Sequence, residues 1–454
     1  MGRFLLGAVT AAVTLALADP AGAAEITRVA SRGEPGNPFD LHVSLRWDRF
    51  QERAQITRET PEGGAIEDGD ELRYTRTVNA VVPRVAVGIT EDLEIHFEWP
   101  YVLGDDRSWR FGLVGGAPTG GVSGRESSIE TNTLDANGQL CPGTCPLFPV
   151  APSTTIYHGG KAGDLQAGFA WGIFNDRKDP TKPYWLVGLD VTFPTAALYD
   201  PVRDRATDTW LSPHASPGNP GPFGEKIWKW DLYTVLSRRL GPIDPYVKAH
   251  ATLMSKSSST YSNCDHADRL ANLPGETPAG IPQMTTVGAL NCSDASWRDD
   301  ADAELPWIAG LTAGTELVPY ENDAEQQRVA LDVRIFADYT SSQRFYNELT
   351  DATGKLHETE DYLTVGGFLG FYLRASRYVS LHATASLATR TSHLLTGESL
   401  GRDGAWPAID PSGVTADPSL QNPNFDWRYD LPGRRFRASE IALFQLSFGG
   451  VLQF

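Results

Sequence analysis

The sequence predicts an all-β protein: a transmembrane, antiparallel, up-and-down β-barrel of about twelve strands, with short periplasmic turns and long extracellular loops. Three observations lead there. Apolar and polar residues alternate along a series of stretches about ten residues long, the length a tilted strand needs to cross an outer membrane. Short and long connections between these stretches alternate strictly. The chain begins with an apolar export leader and ends inside an apolar alternation.

The leader comes first. Met1-Gly2-Arg3 is a positive start, Phe4 to Ala18 is apolar, and Ala21-Gly22-Ala23 has the small-x-small form of a signal-peptidase site, so residues 1-23 are read as a signal peptide and 24-454 as the barrel. Export implies an oxidising compartment. Cys141 and Cys145, and Cys264 and Cys292, then read as two loop disulfides, since no paired C-x-x-C spacing supports zinc. No metal and no cofactor is expected.

The first strand is clearest in FDLHVSLRWD, where Phe39, Leu41, Val43, Leu45 and Trp47 face one way and Asp40, His42, Ser44, Arg46 and Asp48 the other. Val85, Val87 and Ile89 lead through Thr90-Glu91-Asp92 into Leu93, Ile95, Phe97 and Trp99. Leu165, Phe169 and Trp171 are followed by Trp185, Val187, Leu189, Val191 and Phe193. The pattern recurs at Trp228, Trp230 and Leu232, at Val247, Ala249, Ala251 and Leu253, and at Trp307, Ala309 and Leu311. Val329, Leu331, Val333 and Ile335, then Leu363 to Leu373, then Val379 to Leu387 continue it. LFQLSFGGVLQF supplies the last strand and must pair with the first, because lipid tolerates no open sheet edge.

Connections near 90–92, 175–183, 239–244, 319–327 and 375–378 are short. Those at 59–71, 104–162, 195–225, 254–305, 342–361 and 391–439 are long. A soluble sandwich has no reason to sort its connections by side, whereas an outer-membrane barrel does. Seven tryptophans, Trp47, Trp99, Trp171, Trp185, Trp228, Trp230 and Trp307, share the apolar side and suit the interfacial aromatic belts. A net charge of −18 argues against nucleic acid as a partner.

Two segments carry a resemblance. VAVGITEDLEIHFEWPYVLG at 85–104, and GDLQAGFAWGIF from 163 with PYWLVGLDVTFPTA from 183, resemble the outer-membrane transporter family described as a putative meta-pathway of phenol degradation. The resemblance implies a barrel that passes a small, hydrophobic or aromatic solute. It brings no catalytic residues.

With the apolar face toward lipid, the opposite face lines the lumen. Its candidates are His42, Arg46, Arg84, Glu94, His96, Glu98, Asp190, Lys229, Asp231, Lys248, His250, Asp332, Arg334, Arg374, His382 and Arg390. Both signs are present, which suits salt bridges bracing a wall along a polar route better than a one-sign ion filter. The expected function is an outer-membrane channel or facilitator for passive uptake of a small solute, in the bacterial outer membrane after export. Two alternatives stand beside it: a structural or adhesive surface barrel with recognition loops, and a lipid esterase built on His42-Val43-Ser44, whose H-x-S spacing puts imidazole and hydroxyl on one face. That face is the one turned from lipid, and no other hydrolase or nucleotide motif is present, so no enzyme is expected. Expected partners are outer-membrane lipid and lipopolysaccharide, the solute, and the barrel-assembly machinery, for which the terminal Phe454 is read as the signal.

Overall fold

The structure, a computed structural model, describes residues 24–27, 29–30, 40–62, 65–114, 117–119, 153–175, 179, 181–201, 219–266, 291–292, 297, 301–322, 324–399, 401, 422–426 and 429–454. The expected leader lies outside these residues, as do Cys141 and Cys145.

Twelve antiparallel strands close into one barrel. They are β1 (Leu41–Glu62), β2 (Ala65–Thr90), β3 (Leu93–Glu98 and Tyr101–Val114), β4 (Ser153–His158, Lys161–Ala162 and Leu165–Phe174), β5 (Tyr184–Phe193) and β6 (Ile227–Ser237). The second half is β7 (Ile243–Lys256), β8 (Ile308–Asn322), β9 (Gln327–Thr340), β10 (Tyr362–Ser376), β11 (Val379–Arg390) and β12 (Phe436–Gln453). Each strand pairs with its sequence neighbours. The ends meet where β1 pairs with β12, from His42↔Gln453 to Arg58↔Phe436. At the rim the Phe454 and Leu41 backbones exchange N–H···O bonds of 3.0 and 3.3 Å, so the last residue completes the ladder and no edge is left.

The alternation becomes an apolar belt on the outside. Leu45, Leu232, Leu253, Leu311, Ile335 and Leu387, from six different strands, are each 58–68% exposed. No soluble protein leaves such a ring to water; this is the surface of a barrel standing in lipid. Aromatics gather at its margins. Trp230 stacks on Trp228 at 6.1 Å and Trp307 leans on Tyr339 at 5.1 Å toward the loop end, while Trp185 packs with Phe174 at 5.6 Å toward the short turns. Trp47 stacks on Phe448 across the closing seam at 6.0 Å.

Two connections differ from expectation: 59–71, and 104–162, whose ends to Val114 and from Ser153 are strand. Residues 59–71 are not a long loop: β1 and β2 stay paired out to Glu62↔Ala65 and rise well past the belt. Their outward residues there are polar, Arg53, Gln55 and Arg73, so no apolar side marks this stretch as strand. What they bury lies inward. Ile56, Leu72, Tyr74 and Trp109 pack against Leu349, Ala352, Leu395, Tyr429 and Phe436 from the loops. β3 likewise continues past Pro100 as far as Val114, with a register shift where Leu103 stands between the pairs Asn79↔Gly104 and Ala80↔Val102.

Residues 342–361, with 391–399, 422–426 and 429–435, turn into the barrel mouth as a lid. A ribbon pairing Gln343–Phe345 with His357–Thr359 flanks a one-turn helix, α1 (Thr350–Thr353). Cys264 and Cys292 form the expected disulfide, with 5.3 Å between Cα atoms. At the other end, residues 24–27 and 29–30 lie across the lumen as a crossbar. Ala24 and Val29 pack there with Tyr184, Leu186, Val235 and Tyr246.

Candidate functional site: the barrel interior

The site is the enclosed space between crossbar and lid. In β-strands every second side chain points inward, and here the inward positions carry polar groups that find one another across the wall. Arg84 Nη2 reaches Glu94 at 2.7 Å, and Arg46 bonds Asp48 at 2.8 Å and Glu98 at 3.1 Å. Arg334 bonds Asp332 at 2.5 Å and lies over the Phe368 ring at 3.7 Å; the other Asp332 oxygen accepts the Tyr246 hydroxyl at 2.5 Å. Lys248 sits over the Tyr233 ring at 4.8 Å, Lys229 bonds Glu225 at 2.8 Å, and Asp231 accepts from Thr252 at 2.7 Å. Arg374 donates to Gln326 in the turn at 3.2 Å.

Glycine makes the longest of these contacts possible. His96 lies opposite Gly168 on β4, and Gly168 lies opposite Asp190 on β5, so histidine and aspartate meet across a strand that has no side chain between them, at 2.8 Å. The device repeats at Gly310 on β8, between His250 on β7 and Asp338 on β9, with 3.6 Å between ring nitrogen and carboxylate. A Cβ at Gly168 would fall 2.1 Å from Asp190 Oδ1, and one at Gly310 2.0 Å from Asp338 Oδ1, so the spaces are already filled. His382 likewise crowds Gly449, with Arg46 on the far side.

His42 bonds Asp40 at 3.1 Å, and the Ser44 hydroxyl donates to the Arg84 carbonyl at 3.5 Å. Imidazole and hydroxyl are therefore engaged separately, within the wall and away from lipid.

At the short-turn end the crossbar is tied to opposite walls. The Ala30 N–H donates to Glu94 at 2.6 Å and the Glu25 N–H to Glu316 at 2.8 Å. Glu94 belongs to β3 and Glu316 to β8, so the segment spans the lumen.

Under the lid lies a cavity of about 140 Å³. Its lining combines Arg76, Arg107 and Arg390 with Glu52, Glu225 and Glu348, and adds the rings of Tyr74, Tyr199, Tyr346 and Tyr362. Asp105 takes both Arg76, through bonds of 2.8 and 2.9 Å, and Arg107 at 2.7 Å. Arg107 also reaches Asp351 of α1 at 2.9 Å, which holds His158 at 3.1 Å and accepts the Tyr199 hydroxyl. Burial alone would raise the Asp351 carboxyl, but Arg107 and His158 overcome it and hold the group well below the usual carboxylate range. Arg390 ties Glu52 at 2.5 Å and Glu348 of the lid at 3.4 Å. Of these groups the sequence reading reached only Arg390. Arg76 shares an inward face with Tyr74 and Val78 at spacing two, as Asp105 and Arg107 do with Trp109; the latter two fall in 104–162, read as loop, and Arg76 is not among the residues singled out.

Crossbar, charged wall and lid together define a transmembrane β-barrel closed from both ends around a polar chamber. No family model matches the sequence, and no curated protein matches it. Among solved structures, an outer membrane channel from Pseudomonas putida F1 is similar over 93% of this chain and 100% of its own, with 10% identity and a TM-score of 0.41. A FadL homologue from Pseudomonas aeruginosa covers 92% and 90% with 8% identity and a TM-score of 0.32. The outer membrane protease OmpT from Escherichia coli covers 93% and 100% with 7% identity and a TM-score of 0.26. Likeness at these scores says nothing of function. The likeness of two hairpins to the phenol-degradation family remains one of short segments.

Proposed function

We propose that this chain is a bacterial outer-membrane channel or facilitator that passes a small solute by diffusion, with the short turns in the periplasm and the loops outside. The observation that carries the reading is the chamber: a polar, charge-compensated interior inside a lipid-facing wall, obstructed among the described residues by two elements held through non-covalent contacts, crossbar and lid. The sixteen polar residues singled out from the sequence are read as its lining, beside the lid-facing arginines. A purely structural barrel has no need of an interior cavity framed by hydrogen-bonding groups, whereas a route needs sites that bind weakly enough to release.

The size and chemistry of the cavity narrow the solute. A space of about 140 Å³ suits a molecule near a single ring in size. Four tyrosine rings among guanidinium and carboxylate groups favour a ring that carries a polar substituent, which agrees with the aromatic solute implied by the sequence resemblance. The test is reconstitution into liposomes and planar bilayers. Swelling driven by small phenolic or benzoic solutes, exceeding that for sugars of similar mass, is the expected result. A barrel that shows heat-modifiable gel mobility yet neither conducts nor swells leaves the surface-anchor reading in its place.

A further inference from the structure

On its outer wall the barrel carries a cluster of unpaired arginines just beyond the lipid-facing belt. The register of β1, β2 and β3 arranges the outward side chains in rows. The row Trp47, Val81, Tyr101 ends the belt, and Arg49 begins the row after it, opposite Asn79. Two rows further out Arg53 stands beside Thr75 and Ser108, and the next row places Arg73 directly opposite Arg110. Arg49, Arg53, Arg73 and Arg110 are all exposed, and among the described residues none of them makes an ion pair or hydrogen bond.

Four positive charges on three adjacent strands are unexpected in a chain with a net charge of −18. Like charges directly opposite across a strand pair are destabilising, and rows lie only about 7 Å apart along a strand. Arg53, Arg73 and Arg110 therefore crowd one another. Outward carboxylates at the margin are Asp106, in the row below Arg53, Glu440, at the β12 bulge, and exposed Asp70, opposite Thr57 just beyond Arg73. The remaining outward positions, Gln51, Gln55, Thr75, Thr77 and Ser108, are hydrogen-bonding and uncharged.

We propose that this face is a docking surface for a phosphorylated glycolipid headgroup of the outer leaflet. Its height supports that source of anion over a free one: Arg49 follows the aromatic margin at the level of headgroup phosphate, and the Arg53–Arg73–Arg110 cluster lies above it, where the sugars of a glycolipid stand. Guanidinium groups bind phosphate through paired N–H donors, and neutral amides and hydroxyls around them suit sugar hydroxyls. A lipid bound here would neutralise the crowded arginines and brace the β1–β2 hairpin that walls the lid. The surface is separate from the chamber and does not depend on passage through it.

The test is native mass spectrometry of the detergent-purified, delipidated full chain titrated with bis-phosphorylated lipid A. The comparisons are the same lipid enzymatically dephosphorylated, and inorganic phosphate as competitor. Wild type is expected to retain lipid A, to ignore the dephosphorylated lipid, and to keep its lipid in millimolar phosphate. The variant R53Q/R73Q/R110Q should lose affinity by up to on the order of a hundredfold, at about fivefold per charge near an anionic headgroup. Lys182→Gln, at the short-turn end, should change nothing. Heat-modifiable mobility shows that each variant is folded; should the triple variant lose it, Arg73→Gln alone is read, with a loss of about fivefold expected. Undiminished retention by the folded variant, equal retention of dephosphorylated lipid, or displacement by inorganic phosphate would each overturn the proposal.

Discussion

Substituting Asp351→Asn tests whether the lid is a gate. The side chain keeps its shape but loses the charge that draws Arg107 at 2.9 Å, His158 at 3.1 Å and the Tyr199 hydroxyl to α1. Asp351 is 3% exposed, so water does not screen the pair. Removing one member of a buried ion pair costs about 3–5 kcal/mol, because the other is left uncompensated. Arg107 retains Asp105 at 2.7 Å, which places the cost near the lower figure. About 3 kcal/mol is a factor of about 10² in the ratio of closed to open lid. Single-channel recording should show open probability rising by that order, with heat-modifiable mobility intact because no strand pairing is touched. An intact barrel whose open probability does not rise would show that the lid is a fixed part of the wall, and the gating argument would fall.

Three further outcomes follow from the geometry. Val29→Asp puts a charge into the apolar contact that seats the crossbar, where Val29 is 1% exposed; the segment should leave and liposome swelling should rise, and unchanged swelling would mean that the crossbar is no obstruction. Gly310→Ala should wedge His250 from Asp338 and cost about 1–3 kcal/mol of barrel stability, the range typical of overpacking, seen as a lower temperature of the heat-modifiable transition; an unchanged transition would deny that the glycine gap matters. The lid should open with rising pH. Burial, with Glu398 beside it, raises the Glu358 carboxyl to about 7; burial, with Glu398 and Asp426 outweighing Lys355 and three backbone N–H donors, raises that of Asp430 to about 8. In an open lid both return toward the ordinary value of about 4, so the closed state binds more protons between about pH 4 and 8. Its advantage is complete at the acid end and falls as pH rises, by up to about tenfold per unit for each group. Open probability that is flat in pH, or highest in acid, would contradict this, and E358Q/D430N should flatten the wild-type slope.

The wall was legible in the sequence because lipid enforces one rule on it: outward residues must be apolar, so period two shows plainly from Leu41 to Trp47 or from Val379 to Leu387. The same rule hid what stands beyond the belt. Above Trp47 the outward side of β1 turns to Arg49, Gln51 and Arg53, and the strand continues on the strength of inward residues, Ala54 and Ile56, packed on the lid. Nothing in a local pattern shows that such a stretch is a strand, since its partner is about 300 residues away. The Gly168 and Gly310 gaps were hidden for a related reason. A glycine at an inward position reads as weakness in a strand until the register shows which two neighbours reach across it.

The two obstructions are unequal, and the inequality bears on how a route would work. The lid has an apolar core of its own, from Leu349 and Ala352 to Phe436, and ion pairs reaching the wall through Arg107 and Arg390. Among its described residues the crossbar buries Ala24, Thr27, Val29 and Ala30 and packs Ile26 beside them; the N–H groups of Glu25 and Ala30 bond its backbone to wall carboxylates, and the Glu25 side chain pairs with Arg328 at 3.9 Å. Hydrogen bonds to charged groups contribute about 1.5–3 kcal/mol each, and full burial of a valine about as much again, while the alanines and Thr27 add less. Arg84 and His96 already serve Glu94, and Arg328 serves Glu316, so neither carboxylate is left bare when the crossbar departs. The wall loses less by releasing the crossbar than by releasing the lid, whose departure uncovers both an apolar core and Arg107. Release of the crossbar should therefore be the more frequent event, and the lid the element that sets how often a complete path exists.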